Sequence, residues 1–291
     1  MHAAALDRLL WRNGQPLPAH PETRVVCTGE SDVRIRDTDG DGPVVVFFCD
    51  PPVTVEAYDT LIDQFRDDYR VVVVELPGFG FSRPHHHSGY EFQAAVHSVE
   101  EVLSGLQTDE MVLCAPCICG FVATELVRRR RLSVRGLILM QTPDFAGMLD
   151  WSRRMDPRHV LRTPFVGQIV VRATARTMTR FWLDYASAPE YDPDGLVNTA
   201  LTAQRQGAAF SLATMLQRWR NGPSDGNLQL PSLAIWGQQD RSHRDTDPQC
   251  TRKHVPAADI VSLPSCGHFP ELEAPQAFCD NARPLIRRCL H

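Results

Sequence analysis

The sequence predicts an α/β fold in which a mostly parallel sheet is flanked by helices. Two observations predict this fold class. Short apolar runs rich in valine and isoleucine alternate with helical patterns along the 291 residues, and one long helical stretch interrupts that alternation. Near-continuous apolar runs are typical of strands that are buried on both faces of a sheet. A composition of 43% hydrophobic and 22% charged residues is that of an ordinary globular protein with a sizeable core.

Eight segments are predicted as strands: 24–27, 33–36, 43–49, 70–76, 111–115, 134–140, 232–236 and 259–263. The turn G-E-S-D separates the first two segments, which favours an antiparallel hairpin at the start of the sheet. Helical patterns follow most of the later strands, at 55–66, 90–106, 119–130 and 275–289.

The alternation stops between Phe145 and Pro231, where the sequence has helical patterns and no strand pattern. We therefore predict a helical cap at 145–230, inserted between the sixth and seventh strands of a core formed by 1–144 and 231–291. Ligands of α/β folds bind at the carboxyl ends of the strands, so the cap is expected to cover the active site.

Charge and hydropathy indicate which partners to expect. The net charge of −5 gives no general field that would attract nucleic acid or an anionic membrane. No stretch reaches the roughly 20 apolar residues that a membrane span needs, and the N-terminus lacks the apolar segment of a secretory signal. We expect a cytoplasmic protein that binds neither nucleic acid nor membranes.

The nine cysteines are an odd number scattered along a long chain, unlike the dense disulfide framework of a small secreted domain. Reduced thiols are therefore expected. Cys114, Cys117 and Cys119 form a C-x-x-C-x-C run that could indicate metal or redox chemistry, but no second ligand pair with zinc spacing follows it. The sequence predicts neither a metal site nor a cofactor.

The segment M-V-L-C-A-P-C-I-C-G-F-V-A-T-E-L, residues 111–126, runs from an apolar strand through a turn of small residues into an amphipathic helix. A sharp strand-to-helix turn of this kind, the nucleophile elbow, holds a nucleophile in a strained backbone conformation. The nucleophile position falls on Cys117, and Gly120 allows the helix to pack closely on the sheet. A helix N-terminus and a neighbouring histidine both favour thiolate over thiol. The alternative is that Cys117 is a buried core thiol.

Two further segments supply partners for this thiol. Asp240 follows the predicted strand at 232–236, and His268 lies in the loop between the last strand and the final helix. Nucleophile, acid and base then occur in the chain order that this type of fold uses. His268 would accept the thiol proton, and Asp240 would fix the imidazole tautomer and stabilise the imidazolium. Each residue alone could be a turn residue or a helix cap, but together they predict a triad.

From about residue 24 to its end, the chain resembles the α/β-hydrolase superfamily. Residues 71–82, V-V-V-V-E-L-P-G-F-G-F-S, resemble the D-x-P-G-x-G-x-S turn of that family, with Glu75 in place of aspartate. The segments W-G-Q-Q-D and C-G-H-F resemble its acid and histidine loops. The resemblance implies the α/β-hydrolase fold, and these motifs are specific for that fold but only weakly specific for a substrate.

The segment after the third strand departs from the family pattern. Members usually have H-G-x-x there, and the residue after the glycine donates a backbone N–H to the oxyanion hole. This chain has C-D-P-P, residues 49–52, and Pro51 has no N–H to donate. Ile118 is expected to supply one donor, and Val53 a second one if the loop is displaced. The loss of a donor argues against a general esterase.

With a cysteine at the elbow, the chain resembles two groups of enzymes in the superfamily. Dienelactone hydrolase has one but lacks a helical cap of this size. The chain is more similar to small stand-alone cysteine aminoacyltransferases and thioesterase-like enzymes of natural-product pathways. This resemblance implies a small acyl substrate and, as a candidate partner, an acyl- or peptidyl-carrier protein.

Two sets of residues in the cap could serve such a substrate. Four aromatic residues are candidate walls of an acyl pocket, although helix packing is their commoner role: Trp151, Trp182, Tyr185 and Trp219. Seven arginines could dock an acidic carrier protein or a phosphate, although a solvated helix face is the commoner role of such residues: Arg153, Arg154, Arg158, Arg162, Arg172, Arg176 and Arg180.

These observations predict acyl transfer, or thioester or ester cleavage, through an acyl-Cys117 intermediate in a biosynthetic pathway. One alternative is a lyase in which His268 is the base that eliminates an acyl group such as a carboxylate. Another is a protein that binds a small ligand without catalysis. The three hypotheses differ in whether a covalent acyl-enzyme accumulates.

Overall fold

The computed structural model describes residues 2–10, 20–205, 209–219, 222 and 228–291. Within these residues the chain forms eleven strands: β1 (Thr23–Cys27), β2 (Ser31–Asp37), β3 (Val44–Phe48), β4 (Arg70–Val74), β5 (Phe79–Gly80), β6 (Arg83–Pro84), β7 (Met111–Pro116), β8 (Val134–Met140), β9 (Ala209–Phe210), β10 (Ser232–Gly237) and β11 (Asp259–Leu263). The described helices are α1 (Ala4–Leu10), α2 (Asp59–Phe65), α3 (Phe92–Ser104), α4 (Cys117–Arg129), α5 (Phe145–Met155), α6 (Val166–Ala173), α7 (Ala175–Ala186), α8 (Asp194–Arg205), α9 (Leu212–Arg218), α10 (Pro270–Glu273) and α11 (Pro275–Leu290).

The main sheet has the strand order β1-β2-β4-β3-β7-β8-β10-β11, and β6 pairs with β2. The β1–β2 and β2–β4 pairs are antiparallel, while the pairs from β4 through β3, β7, β8 and β10 to β11 are parallel. The predicted fold class, the eight predicted strands and the initial hairpin are thereby confirmed. The short elements β5, β6 and α10 were not predicted, because two to four residues are too few to show a hydrophobic period.

Both faces of the sheet are buried, as strand β3 illustrates. Val44, Val46 and Phe48 belong to a core shared with helices α3 and α4, whereas Val45 and Phe47 belong to a second core shared with α2 and α11. Successive side chains of a strand point to opposite faces, so a strand with helices on both sides needs an uninterrupted apolar run. Because β3, β7, β8 and β10 are parallel, the carboxyl ends of β3, β7 and β10 lie at the same end of the sheet.

Helices α5 to α9 lie in the chain between β8 and β10. The expectation that this stretch contains no strand is wrong at one point, because β9 pairs antiparallel with β5 through Phe79 and Phe210. Residues 206–208, 220–221 and 223–227 of the expected cap lie outside the described residues. Among the helices described, none is long and apolar enough to cross a membrane.

Glu271 of α10 is a buried carboxyl group whose titration should make stability depend on pH. Burial raises the pKa of Glu271 to about 8, and its Oε1 lies 3.4 Å from the Tyr58 hydroxyl. The ordinary pKa of a glutamate is about 4.3, so between about pH 4.5 and 8 the folded chain holds a proton that the unfolded chain has released. The contribution of this residue to the free energy of unfolding therefore falls as the pH rises through that window.

We expect Glu271→Gln, which has the same shape and does not ionise, to change denaturant unfolding little at pH 4.5 and to stabilise the protein at pH 8.5. The comparison requires the midpoints of wild type and variant at both pH values. A stability difference that is the same at pH 4.5 and pH 8.5 would show that Glu271 is already ionised in the fold.

Candidate active site

The turn between β7 and α4 has the geometry of a nucleophile elbow. Strand β7 ends at Pro116, helix α4 begins at Cys117, and Cys117 has a φ angle of +42°. A positive φ is unfavourable for a residue with a β-carbon and is typically found at functional sites. A β-carbon on Gly120 would lie 2.4 Å from Thr142 Oγ1, so only glycine lets α4 approach the loop after β8 this closely.

Asp240 follows β10 and is held by three donors. Its Oδ2 lies 2.6 Å from His268 Nδ1 and accepts a hydrogen bond of 2.6 Å from Gln141 Nε2, while its Oδ1 accepts one of 2.8 Å from the Ser242 N–H. Burial alone would raise the pKa of this carboxyl, but the charge and hydrogen bond of His268 bring the pKa well below its usual range. Asp240 is therefore the ionised partner that fixes the imidazole.

Sequence reasoning missed Gln141, which positions Asp240. It directly follows β8, has a φ of +45°, and its Oε1 accepts a hydrogen bond of 2.8 Å from the N–H of Gly237. Its amide thus links the loop after β8 to both the end of β10 and the Asp240 carboxylate three residues further along. The available signal was its place after a strand end next to β7, where functional side chains collect in such folds.

His268 is fully buried and faces a carboxylate at each ring nitrogen. Its Nδ1 lies 2.6 Å from Asp240 Oδ2, and its Nε2 lies 2.9 Å from Asp50 Oδ2. Burial opposes protonation, yet the charge and hydrogen bond of Asp240, together with the close contact of Asp50, raise the pKa of His268 well above its usual value. Because each ring nitrogen faces a carboxylate, the imidazole of the free protein favours its protonated form.

The thiol of Cys117 lies within 4.8 Å of ring nitrogens of His268 and His243. Burial and the negative charge of Asp50 raise the pKa of Cys117 to about 11, and the hydrogen bond to His268 only partly offsets them. The expectation that the helix N-terminus and the histidine favour a resting thiolate is therefore wrong, because desolvation of the anion outweighs both. The residue must lose its proton as it attacks.

This thiol should be slow to alkylate in the free protein. Cys27 is exposed, whereas Cys117 is 3% exposed and protonated at neutral pH. Because the thiolate is the reactive form, we expect iodoacetamide to modify Cys27 before Cys117 at pH 7.5. Time-resolved peptide mapping measures the order, and Cys117 reacting first would indicate a stable resting thiolate.

The oxyanion donors differ from those expected at one position. The N–H of Ile118 lies in the first turn of α4, where backbone donors have no partner within the helix, and Ile118 lines the pocket above the thiol. Val53 donates its N–H to the carbonyl oxygen of Asp50, at 2.9 Å. Val53 is thus occupied by its own turn, so its expected role as a second oxyanion donor is not supported.

His243, three residues after Asp240, was also missed. Its ring stacks on His268 at 5.4 Å and 18°, and on Trp151 at 6.0 Å and 12°. Burial lowers the pKa of His243 to about 3, and its Nδ1 lies 3.1 Å from Thr246 Oγ1, so the ring is neutral. The neutral His243 ring therefore packs against one face of the His268 imidazole.

Cys117, His243 and His268 are close enough to suggest a metal site. A single ion must lie near the plane of each imidazole at about 2 Å from its nitrogen, which two nearly parallel rings with centroids 5.4 Å apart do not permit. The C-x-x-C-x-C run does not form a site either, because Cys114 belongs to one core and Cys119 to the other. These residues fit a triad better than a metal centre.

An apolar pocket of about 180 Å³ opens above Cys117. Of the four candidate aromatic residues, Trp151 and Trp182 line it, and Trp182 also packs edge-on against His268 at 5.3 Å. The remaining apolar lining comes from β5, β9 and the inserted segment, together with Pro51 and Ile118: Phe79, Met155, Leu161, Met178, Phe181, Phe210, Leu212, Met215 and Leu216. Its polar lining includes Asp50 and Asp156.

The other two aromatic candidates do not line this pocket. The hydroxyl of Tyr185 donates to the carbonyl oxygen of Arg241, whose guanidinium lies 5.2 Å from the centre of the Tyr185 ring. Trp219 donates its Nε1 hydrogen to the Tyr90 carbonyl and packs edge-on against Phe92. Both were expected to bind substrate, and both instead make packing contacts, which a sequence cannot distinguish from a pocket wall.

Comparisons with known proteins agree with this fold. The sequence model of the Alpha/beta hydrolase family matches residues 45–281. The pimeloyl-[acyl-carrier protein] methyl ester esterase of Nitrosomonas europaea is 26% identical over 251 residues, which cover 83% of this chain and 95% of that protein. Haloalkane dehalogenase 2 of Mycobacterium bovis is 25% identical over 254 residues, 83% of this chain and 87% of that protein.

Solved structures share the fold. The epoxide hydrolase of Bacillus megaterium, solved with an inhibitor, superposes with a TM-score of 0.72 at 18% identity, covering 91% of this chain and 100% of that one. An epoxide hydrolase from metagenomes of hot environments gives a TM-score of 0.75 at 18% identity, covering 92% and 99%. The chain belongs to the alpha/beta hydrolase family. It is an enzyme of that type, with a cysteine at the elbow.

Proposed function

We propose that the protein cleaves or transfers acyl groups through a covalent acyl-Cys117 intermediate. The observation that carries this proposal is the position of Cys117 at a strained elbow, beside a His268–Asp240 pair and at the base of an apolar pocket. The thiol proton passes to His268 as sulfur attacks the acyl carbonyl, and the protonated imidazole then protonates the leaving group. A thiol or water subsequently releases the acyl group.

The pocket supports an apolar acyl chain as substrate. Its walls are almost entirely aromatic, leucine and methionine side chains, which bind hydrocarbon and exclude water from the reacting carbon. A relative of this chain is named for an ester of an acyl group on an acyl-carrier protein. We propose a thioester or ester of a small apolar acid as substrate, and a role in biosynthesis.

A carrier protein is a proposed partner, because the helices over the pocket carry several arginines. Of the seven arginines that the sequence offers for docking, three pair with carboxylates: Arg153 with Asp150, Arg162 with Asp156, and Arg180 with Asp184 and Asp194. Arg172 and Arg176 instead border an open surface depression together with Arg205. Guanidinium groups of this kind suit a phosphate or an acidic protein surface.

The proposal is tested by intact-mass analysis after incubation with acyl thioesters of increasing chain length. We expect a mass increase equal to the acyl group for medium-length apolar chains. The increase should be absent in Cys117→Ala and present in Cys119→Ala, a matched control two residues along the same helix. Discharge of the acyl-enzyme much faster by an added thiol than by buffer would indicate a transferase, and equal rates a hydrolase.

The contact between Asp50 and His268 also favours a second candidate, elimination by proton transfer. His268 Nε2 lies 2.9 Å from Asp50 Oδ2, so this pair could move a proton without the thiol. The two functions give opposite results for Cys117→Ala, because turnover by elimination would survive that substitution. The buried Asp240–His268 pair argues against a protein that only binds a ligand.

A further inference from the structure

Asp50 is a buried acid in the place where the family usually has the glycine of H-G-x-x. It follows β3, is 2% exposed, and lines the pocket together with Cys117 and Ile118. Its Oδ2 lies 2.9 Å from His268 Nε2 without the angles of a well-formed hydrogen bond, and this oxygen has no hydrogen-bond partner among the described residues. A buried carboxylate oxygen without a hydrogen bond is costly unless a ligand or a proton satisfies it.

The acylation step needs a donor at this position. Attack on the carbonyl turns its oxygen into an oxyanion, which such enzymes stabilise with two donors. Ile118 can provide one. Pro51 has no N–H, and the N–H of Val53 is donated to the Asp50 carbonyl oxygen. An ionised Asp50 would repel the oxyanion, whereas a protonated Asp50 would donate a hydrogen bond to it.

We propose that Asp50 carries a proton during acylation and donates it in a hydrogen bond to the carbonyl oxygen of the substrate, in place of the missing backbone donor. This inference rests on the acyl-Cys117 reaction proposed above. Asp50 is then a catalytic residue, since it touches the reacting oxygen, whereas Asp240 and Gln141 act through the imidazole.

The proton count of this step is balanced. In the resting site, Asp50 and His268 share one proton, Asp240 is ionised and Cys117 is a thiol. As the sulfur–carbon bond forms, the thiol proton moves to His268 Nε2, the shared proton moves to Asp50 Oδ2, and the carbonyl π electrons move to oxygen. When the carbonyl re-forms, the leaving group departs with the proton from His268 Nε2. The proton on Asp50 then returns to its shared position between Asp50 and His268.

The environment of Asp50 supports a protonated acid. Burial raises the pKa of Asp50 and the negative charge of Asp240 raises it further, while the contact with His268 lowers it without cancelling these effects. Protonated carboxylic acids in apolar sites serve as oxyanion donors in other enzymes. Burial and the Asp240 charge thus both favour the neutral, protonated form of the acid that faces the carbonyl.

The test compares two reactions of the same thiol. Alkylation of Cys117 by iodoacetamide forms no oxyanion, whereas acylation by a thioester does. Asp50→Ala removes the donor, and Asp50→Leu removes it while keeping a side chain that branches at the γ-carbon. For both variants we expect the acylation rate to fall by about 10²-fold to 10³-fold, as for the loss of one oxyanion donor. Alkylation of Cys117 should be unchanged or faster, because the negative charge near the thiol is gone.

Asp50→Asn keeps a hydrogen-bond donor of similar size, so we expect its acylation rate to stay within about tenfold of wild type. Asp150→Asn, on the exposed face of α5, is the control and should leave both rates unchanged. The inference is wrong if Asp50→Leu acylates at the wild-type rate, or if both reactions slow equally in all three Asp50 variants. A wild-type protein that alkylates at Cys117 but is never acylated would instead overturn the proposed function itself.

Discussion

Replacing Cys117 by alanine should reduce acyl turnover by about 10⁴-fold or more, the order of loss seen when the nucleophile of a triad enzyme is removed. The reason is that, among the described residues, Cys117 is the only cysteine, serine or threonine that lines the pocket. Cys117→Ser should also be strongly impaired, because the pKa of a serine hydroxyl is far higher than that of a thiol and the single histidine must remove that proton.

The measurement is the single-turnover rate of thioester cleavage, with Cys119→Ala as the control that removes a neighbouring buried sulfur. Thermal unfolding of each variant shows whether the fold is retained. Turnover by Cys117→Ala close to the wild-type rate would leave His268 and Asp50 as the reacting groups and would support elimination.

The second large effect is expected for Asp240→Asn, which should lower the acylation rate by about 10⁴-fold while leaving the fold intact. Asp240 Oδ2 faces two donors, His268 Nδ1 and Gln141 Nε2, both at 2.6 Å. An asparagine that keeps its oxygen toward the Ser242 N–H places its NH2 group at the position of Oδ2, where it donates to His268 Nδ1. His268 then holds its proton on Nε2, the nitrogen that must accept the thiol proton.

Asp245→Asn is the matched control, because Asp245 lies in the same loop and is exposed. It should acylate like wild type. If Asp240→Asn remains within about tenfold of wild type, the imidazole is oriented by other contacts, such as the stacking of His243, and the role given to Asp240 is incorrect.

The sequence predicted those features that depend on local patterns. The apolar runs of β3, β7 and β10 place the loops of Asp50, Cys117 and Asp240 at one edge of the sheet, and motif spacing identified the elbow and its two partners. This works because parallel strands buried on both faces leave little choice of register or direction.

Features that depend on three-dimensional packing were not predictable. The side chain of Asp50 could be recognised as unusual from C-D-P-P, but its contact with His268 Nε2 depends on how two distant loops meet. The stacking of His243 between Trp151 and His268, and the packing of Tyr185 and Trp219 outside the pocket, depend on helix positions in the inserted segment. The raised pKa of Cys117 depends on burial, which outweighs the helix N-terminus that the sequence shows.

The most direct test of the account is to locate the acyl group on the trapped enzyme. Wild-type protein is mixed with a medium-chain apolar acyl thioester, quenched in acid within the first turnover and digested, and the modified peptide is sequenced by mass spectrometry. We predict the acyl group on Cys117, released by neutral hydroxylamine as a thioester is. Substrate consumed with no acyl group on Cys117 at any quench time would contradict the central claim that this elbow cysteine is the nucleophile.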